Sequence, residues 1–321
     1  MYHKKIAVPT DMKRIGLAVD EGKRWISEQL CVCVALRCNL ACVYCHSPER
    51  GWSADRRQVR AQILRGKTRS VSLEGGGEPT RNPELFDWID FLKSCGVRNF
   101  MLSTNAVALA DRAFCARLEK LIDFFVVNIP ACDARTYRLA TRTDRFPEAV
   151  RGLENLMALG AVPRVRFFHN IFRGNHRLVP KFAAWVIEKF PEIAFTNFTF
   201  IRNLGRVRGD IGVLPRYREA APFVKIALAQ LKMHRKKAVV QNMPLCVLRE
   251  FEGFSFEFQR WKRGDRILEA GVQAKAKSAK CRRCLLEPAC AGARPDYVGV
   301  YGDEELQPSR RRPETIASED F

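Results

Sequence analysis

The chain has no run of ~18 uninterrupted apolar residues; its richest stretches, CVCVAL (31–36) and FFVVNIP (124–130), are of strand length, which excludes a membrane-spanning helix of ordinary type. Its first residues, MYHKKIAVPTDMKRIG, lack the apolar segment of ~7–15 residues that a secretory signal needs, so a cytoplasmic protein is expected. There is no internal repeat and no low-complexity block. Acidic residues are in deficit: 35 Asp and Glu against 55 Lys and Arg leave a net charge of +20 over 321 residues. With 47% hydrophobic and 28% charged positions, the composition is that of a globular protein and not of a disordered or fibrous one. The length suffices for one barrel-sized domain with an appendage. Cysteine, in contrast, is plentiful at twelve residues. In a reducing compartment, clustered cysteines indicate metal or redox chemistry more often than disulfides.

Between about 28 and 204, short β-rich runs alternate with longer segments of helical period. The strands expected are 29–36, 70–75, 99–105, 124–130, 165–171 and 195–201; helices are expected over 54–66, 83–96, 111–121, 146–160 and 176–190. This alternation predicts an α/β fold with a parallel sheet and right-handed crossovers. An open doubly wound sheet and a partial (β/α)6 TIM-like barrel both fit, and either gathers ligands at the carboxyl ends of its strands. A further helix is expected over 217–237, and FEGFSFEFQ (251–259) alternates as an antiparallel strand would. The expected division is an N-terminal extension (1–27), a core barrel (28–238), a small Cys-rich domain (239–302) and a flexible tail (303–321).

Nine cysteines fall in two regions: Cys31, Cys33, Cys38, Cys42 and Cys45 early, then Cys246, Cys281, Cys284 and Cys290 late. Cys95, Cys115 and Cys132 are single and suit burial as small apolar side chains; Cys31 and Cys33 share one strand face and suit the same role. Cys38, Cys42 and Cys45 form CxxxCxxC in the loop after the first strand. Three thiolates can hold three corners of a 4Fe–4S cubane and leave one iron open. Zinc held by the same three and His46 is the alternative.

This spacing, with Tyr44 just before the last cysteine, resembles the signature of the radical S-adenosylmethionine (SAM) superfamily. After the second strand, EGGGEPT (74–80) is similar to that family's glycine-glycine-glutamate-proline loop, Gly76, Gly77, Glu78 and Pro79 matching. The resemblance covers about 28–204. It implies that the amino and carboxylate groups of SAM chelate the open iron, with Glu78 and the glycine backbone holding the methionine ammonium. LSTNA (102–106) resembles a segment that often reads Thr-Asn-Gly, with Ala106 in place of the glycine. It makes Ser103 and Asn105 candidate SAM contacts, with Thr104 on the opposite face. Asn128, Arg166 and Asn170 are further candidates for ribose and carboxylate contacts.

The late cysteines are enough to close a structural zinc site or a second cubane. Their arrangement resembles the auxiliary-cluster extension, of twitch or SPASM type, found in members of the same family. The full SPASM spacing is not met: four late cysteines suffice for one cluster. The region 260–284 carries nine Lys and Arg against Asp265 and Glu269. Lys280, Arg282 and Arg283 would offset the charge of an anionic cluster, or the patch would attract an acidic macromolecule. Phe254, Phe256, Phe258 and Trp261 would then serve as a base-stacking platform or as one face of a half-buried strand.

The resemblance implies reductive cleavage of SAM to a 5′-deoxyadenosyl radical that abstracts a substrate hydrogen, with flavodoxin or ferredoxin as electron donor. A peptide or protein substrate is the first expectation, its recognition aided by a partner protein because only about 30 residues precede the first strand. A nucleoside, nucleotide or other small metabolite is the second, and a zinc-bearing nucleic-acid binder the remote third.

Overall fold

The computed structural model describes residues 30–35, 37–46, 54–264 and 275–319; the N-terminal extension and the centre of the basic segment (265–274) lie outside them. Seven strands form one sheet: β1 (Leu30–Cys33), β2 (Ser70–Glu74), β3 (Asn99–Thr104), β4 (Phe124–Asn128), β5 (Val165–Ile171), β6 (Phe195–Phe200) and β7 (Ala238–Gln241). They lie side by side in sequence order, every pair parallel. Helices α1 (Arg56–Gly66), α2 (Leu85–Ser94), α3 (Arg112–Glu119), α4 (Ala134–Thr141), α5 (Phe146–Ala158), α6 (Val179–Lys189), α7 (Arg206–Gly209) and α8 (Tyr217–Met233) fill the crossovers; α9 (Phe256–Lys262) and α10 (Pro295–Tyr301) follow. Right-handed crossovers in unbroken order put all helices on one face, and β1 and β7 are not paired to each other. The sheet is an open barrel of seven strands, one more than expected.

Alternation sorts the side chains. On β5, Phe167 points outward and meets Phe182 and Trp185 of α6. Its neighbours Arg166 and Phe168 point inward. The outer face and the helices make the large core. Inside, Met101, Phe124, Val126, Phe195, Val239 and Phe256 make a separate apolar cluster, the floor of the interior.

Three expectations for the last third are corrected. The boundary at 239 cuts through β7, whose Val239 and Val240 are fully buried in the sheet. Residues 251–259 are not a strand: a 3-10 turn (Glu252–Phe254) leads into α9, because the Ser255 side chain caps the helix by accepting from Phe258 N. Phe254, Phe256 and Phe258 then enter three different apolar clusters, so these buried rings offer no stacking platform. The segment 303–319 is packed: Leu306 and Ile316 are buried, Arg311 pairs with the buried Glu252 at 2.8 Å, and Gln259 donates to the carbonyl of Glu319. The two apolar anchors outweigh its polar composition. Tyr297 of α10 stacks on Tyr217 of α8 with centroids 3.8 Å apart, joining the C-terminal segment to the main core. No helix among the described residues is long and apolar enough to cross a membrane.

Candidate active site

The CxxxCxxC loop leaves the carboxyl end of β1 and is held from three sides. Ala41 and Val43 donate to the carbonyls of Thr141 and Ala140 at the end of α4, both at 2.9 Å. The carbonyl of Cys45 accepts from Arg206 N at 3.0 Å, and that of Cys42 from the Arg206 guanidinium at 3.0 Å. Gly205 permits this approach: its φ is +56°, and a Cβ there would collide with the Cys45 carbonyl. Arg206 sits too far along the chain for any local pattern to have tied it to the cysteines.

The glycine-rich loop after β2 lies against the same loop. Glu78 N donates to the carbonyl of Arg37 at 2.9 Å, and a Cβ on Gly77 would strike that carbonyl. The Glu78 carboxylate is buried and hydrogen-bonded. One oxygen accepts from Thr80 N (3.2 Å), Thr80 Oγ1 (2.6 Å) and Thr104 Oγ1 (2.7 Å); the other accepts from Asn105 N (2.7 Å). Three donors share one oxygen, and the other, with a single donor, keeps room for one more. Glu78 therefore ties the loop after β2 to the end of β3, and Thr104 reaches it from the outer face. Burial pushes its carboxyl up, opposed by these same hydrogen bonds.

Asn105 bridges to the cysteine loop, its Nδ2 donating to Asn39 Oδ1 at 2.7 Å and lying 4.0 Å from Cys38 Sγ. Ala106 holds a φ of +63°, the left-handed conformation that suits glycine. Tyr44 is buried; its hydroxyl donates to Asn128 Oδ1, which also accepts from Asn170 Nδ2, both at 3.3 Å. Gly77 and Glu78 are thus set against the cysteine loop at Arg37, Asn105 at Asn39 and Cys38, and Asn128 at Tyr44, all at the carboxyl end of the sheet. Ser103 and Arg166 lie one inward position lower, in a row that the pairing carries from Ser103 through Val126 to Arg166 and Phe195.

Glu74, at the end of β2, belongs to that lower row. It accepts from Ser103 Oγ at 3.4 Å and from the Cys31 thiol; burial, then its proximity to Glu74, raises the Cys31 pKa. Cys31 and Cys33 thus face the interior beside this carboxylate. The sequence signal for Glu74 was its inward parity with Ser72, which the adjoining glycines overshadow.

The residues present suit an iron–sulfur cluster. Burial pushes the Cys42 thiol up to about 12, and Cys38 and Cys45 add to the shift, which places the three thiols close enough to act on one another; a metal held there would displace their protons. Cys246, Cys281, Cys284 and Cys290 line one cavity with Lys277, Lys280 and Gln307. Cys246 is pushed up to about 11 by burial, then by the other three thiols. Ser309 N donates to Cys284 Sγ at 3.2 Å and Gly292 N to Cys290 Sγ at 3.4 Å, the donors that an anionic thiolate needs. Among the described residues, neither set of thiols stands in closed ligating geometry. Lys280, expected to offset cluster charge, pairs with Asp303 at 3.2 Å.

An open parallel α/β barrel with a three-cysteine loop after β1 and a glycine-rich loop after β2 defines a class: barrels that build a cofactor site at the strand ends. Within it, residues 32–177 match the family model described as the radical SAM superfamily. A probable GTP 3′,8-cyclase of Saccharolobus islandicus is 30% identical over 161 residues, covering 48% of this chain and 51% of that protein. One of Methanopyrus kandleri is 33% identical over 141 residues, covering 41% and 44%. The chain thus spans about half the length of the curated relatives it matches. Among solved structures, Streptococcus suis SuiB bound to S-adenosylmethionine superposes with a TM-score of 0.55 at 14% identity, over 90% of this chain and 77% of that one. The structure of anSMEcpe with bound AdoMet and a peptide gives 0.55 at 16%, over 79% and 71%. Both likenesses are of fold.

Proposed function

We propose that this protein is a radical SAM enzyme with a 4Fe–4S cluster on Cys38, Cys42 and Cys45, a second cluster on Cys246, Cys281, Cys284 and Cys290, and a peptide substrate that enters the barrel interior. When bound, the first cluster supplies the electron that splits SAM and so yields the hydrogen-abstracting radical. The observation that carries the reading is the joining of the cysteine and glycine-rich loops through Arg37, Glu78, Asn105 and Asn39. The backbone of Gly76 and Gly77 presents carbonyls to an ammonium, and Glu78 sets their position from behind. Asn105, Asn128 and Tyr44 offer polar edges to a ribose or carboxylate. The apolar floor below excludes water, as control of a radical demands. Residues of the second site share one cavity, where the Ser309 and Gly292 amides donate to two of the thiols, and its role is electron transfer or shaping of the pocket.

A peptide is preferred because the interior face of the described strands carries a single cation, Arg166, and holds Glu74 as well. A nucleoside triphosphate calls for several cations. A nucleotide substrate is the second reading, favoured by the probable GTP 3′,8-cyclases among the relatives.

The test is an anaerobic iron and sulfide count on wild type and on a Cys38→Ala/Cys42→Ala/Cys45→Ala variant, then SAM with dithionite and assay of 5′-deoxyadenosine. About eight irons falling to about four, with nucleoside made only by wild type, is the expected result. Zinc in place of iron would sink the reading. Formation of a cyclised product from GTP would replace the peptide by the nucleotide.

A further inference from the structure

Two buried donors in the barrel interior have no acceptor among the described residues. Arg166, on β5, is only 6% exposed, and its Nε has no hydrogen-bond partner among the described residues. Asn197, on β6, is fully buried; its Oδ1 accepts from Thr199 Oγ1 at 3.2 Å, yet its Nδ2 is unpartnered. Arg166 is paired across the strands with Phe195 and Asn197 with Phe168, so both donors face inward on adjacent strands, one inward position apart. Buried donors are almost always satisfied, and an unpaired buried guanidinium is costlier still.

The rest of the surroundings suits an anionic acceptor. The guanidinium lies against the rings of Phe168 and Phe195, at 5.9 and 5.4 Å from their centroids, which hold it in place without using its hydrogens. Glu74 acts on it from a distance as the favourable charge, too far for an ion pair, and is occupied by Ser103 and Cys31. Burial lowers the Arg166 pKa only to about 10, so the group is charged at neutral pH. The row of Glu74, Ser103 and Arg166 lies one inward position below Asn105 and Asn128, which border the thiols.

We propose that Arg166 and Asn197 form a carboxylate-binding subsite in the barrel interior, which holds the side-chain carboxylate of an acidic residue in the substrate peptide below the cofactor. The proposal rests on the peptide reading above. A carboxylate matches because a guanidinium binds it through parallel N–H donors, and because one cation balances one negative charge. A phosphate ester would bring more charge than Arg166 can match with Glu74 alongside.

The test uses cluster-reconstituted, SAM-bound protein in anaerobic calorimetric titrations. The probes are N-acetyl-L-glutamate α-methylamide, its neutral counterpart N-acetyl-L-glutamine α-methylamide, inorganic phosphate and GTP. Wild type is expected to prefer the acid to the amide by about tenfold or more, as a charge-assisted pair implies. Arg166→Gln is expected to abolish that preference while SAM affinity stays within about twofold; Arg166→Lys is expected to restore part of it. Should Arg166→Gln fail to retain iron, Asn197→Ala reads the same subsite. No preference for acid over amide in wild type would overturn the proposal. A loss of SAM affinity with the acid preference intact would make Arg166 a cofactor ligand instead, and a larger loss for phosphate or GTP would make the anion a phosphate. Formation of 5′-deoxyadenosine from SAM by the same wild-type samples separates the two levels: its absence fails the enzyme reading, its presence without acid preference fails the subsite alone.

Discussion

Glu78 shows how firmly the fold can anchor a motif residue. Its four donors come from Thr80, Thr104 and Asn105, and Glu78→Ala would strand them in a buried place. A loss of about 2–4 kcal/mol is expected in urea titrations, with a smaller loss for Glu78→Gln, which keeps one acceptor oxygen; equal stability of wild type and Glu78→Ala would refute the role. His169 gives a second residue-scale prediction. Its Nδ1 donates to the Ile129 carbonyl at 3.0 Å, so its Nε2 is the acceptor for Asn175 Nδ2 at 3.3 Å. Burial pushes its pKa down from 6.5 to about 4. The unfolded chain therefore binds a proton that the native protein refuses. Stability from this group is complete above its unfolded pKa and declines as pH falls from there toward about 4, by about 3 kcal/mol in all. Comparing the pH dependence of denaturation midpoints in wild type and His169→Gln checks it: the variant's slope between those limits is expected to be shallower.

At the scale of elements, the turn between β6 and α7 controls the cysteine loop. Gly205→Ala places a methyl against the Cys45 carbonyl and demands a left-handed backbone from alanine, so the loop must shift. About half the iron should be lost with SAM binding, while the late-cysteine site keeps its share; full iron content and unchanged SAM affinity would contradict this. Such a contact is illegible in a single sequence, because nothing local marks Gly205 and Arg206 as neighbours of Cys42 and Cys45. The strands from β1 to β6 were legible, since β-branched and aromatic runs between helical periods leave little choice. β7 was not: AVVQ is four residues long and sits at the basic end of a helix, where no alternation has room to develop. The run of phenylalanines at 254, 256 and 258 misled for a related reason. Period two fitted a strand, but Ser255 supplies a helix cap, and a cap with its hydrogen bond outweighs a three-residue alternation. Glu78 was found by its motif, yet its direction was not, because the burial of Thr80 and Thr104 beside it is a tertiary fact.

For the whole molecule, the last third behaves as a wrap around the late cysteines. Leu245, Phe258, Leu286, Ala289 and Ile316 form a small core that Cys284 and Cys290 flank; beside it Leu285 N donates to the Ser309 carbonyl at 2.9 Å and Ser309 N to Cys284 Sγ at 3.2 Å. Replacing Cys246, Cys281, Cys284 and Cys290 by alanine is expected to remove about four irons and to expose 275–319 to limited proteolysis, leaving the sheet intact by far-ultraviolet circular dichroism. Retention of all iron by that variant would disprove the second site. Within this wrap Lys275 pairs with Glu257 and Lys277 with Glu287.

The grip of Arg206 on the Cys42 carbonyl joins residues 164 positions apart. During translation the three early thiols leave the ribosome long before their clasp is made, as an open loop beside an unfinished sheet. The shape of the loop requires β6 and the turn after it, so a cluster of the kind proposed would be kept only once the barrel had been made. A nascent chain stopped before residue 205 would present the same cysteines to the cell's cluster-delivery machinery without the means to keep what it receives.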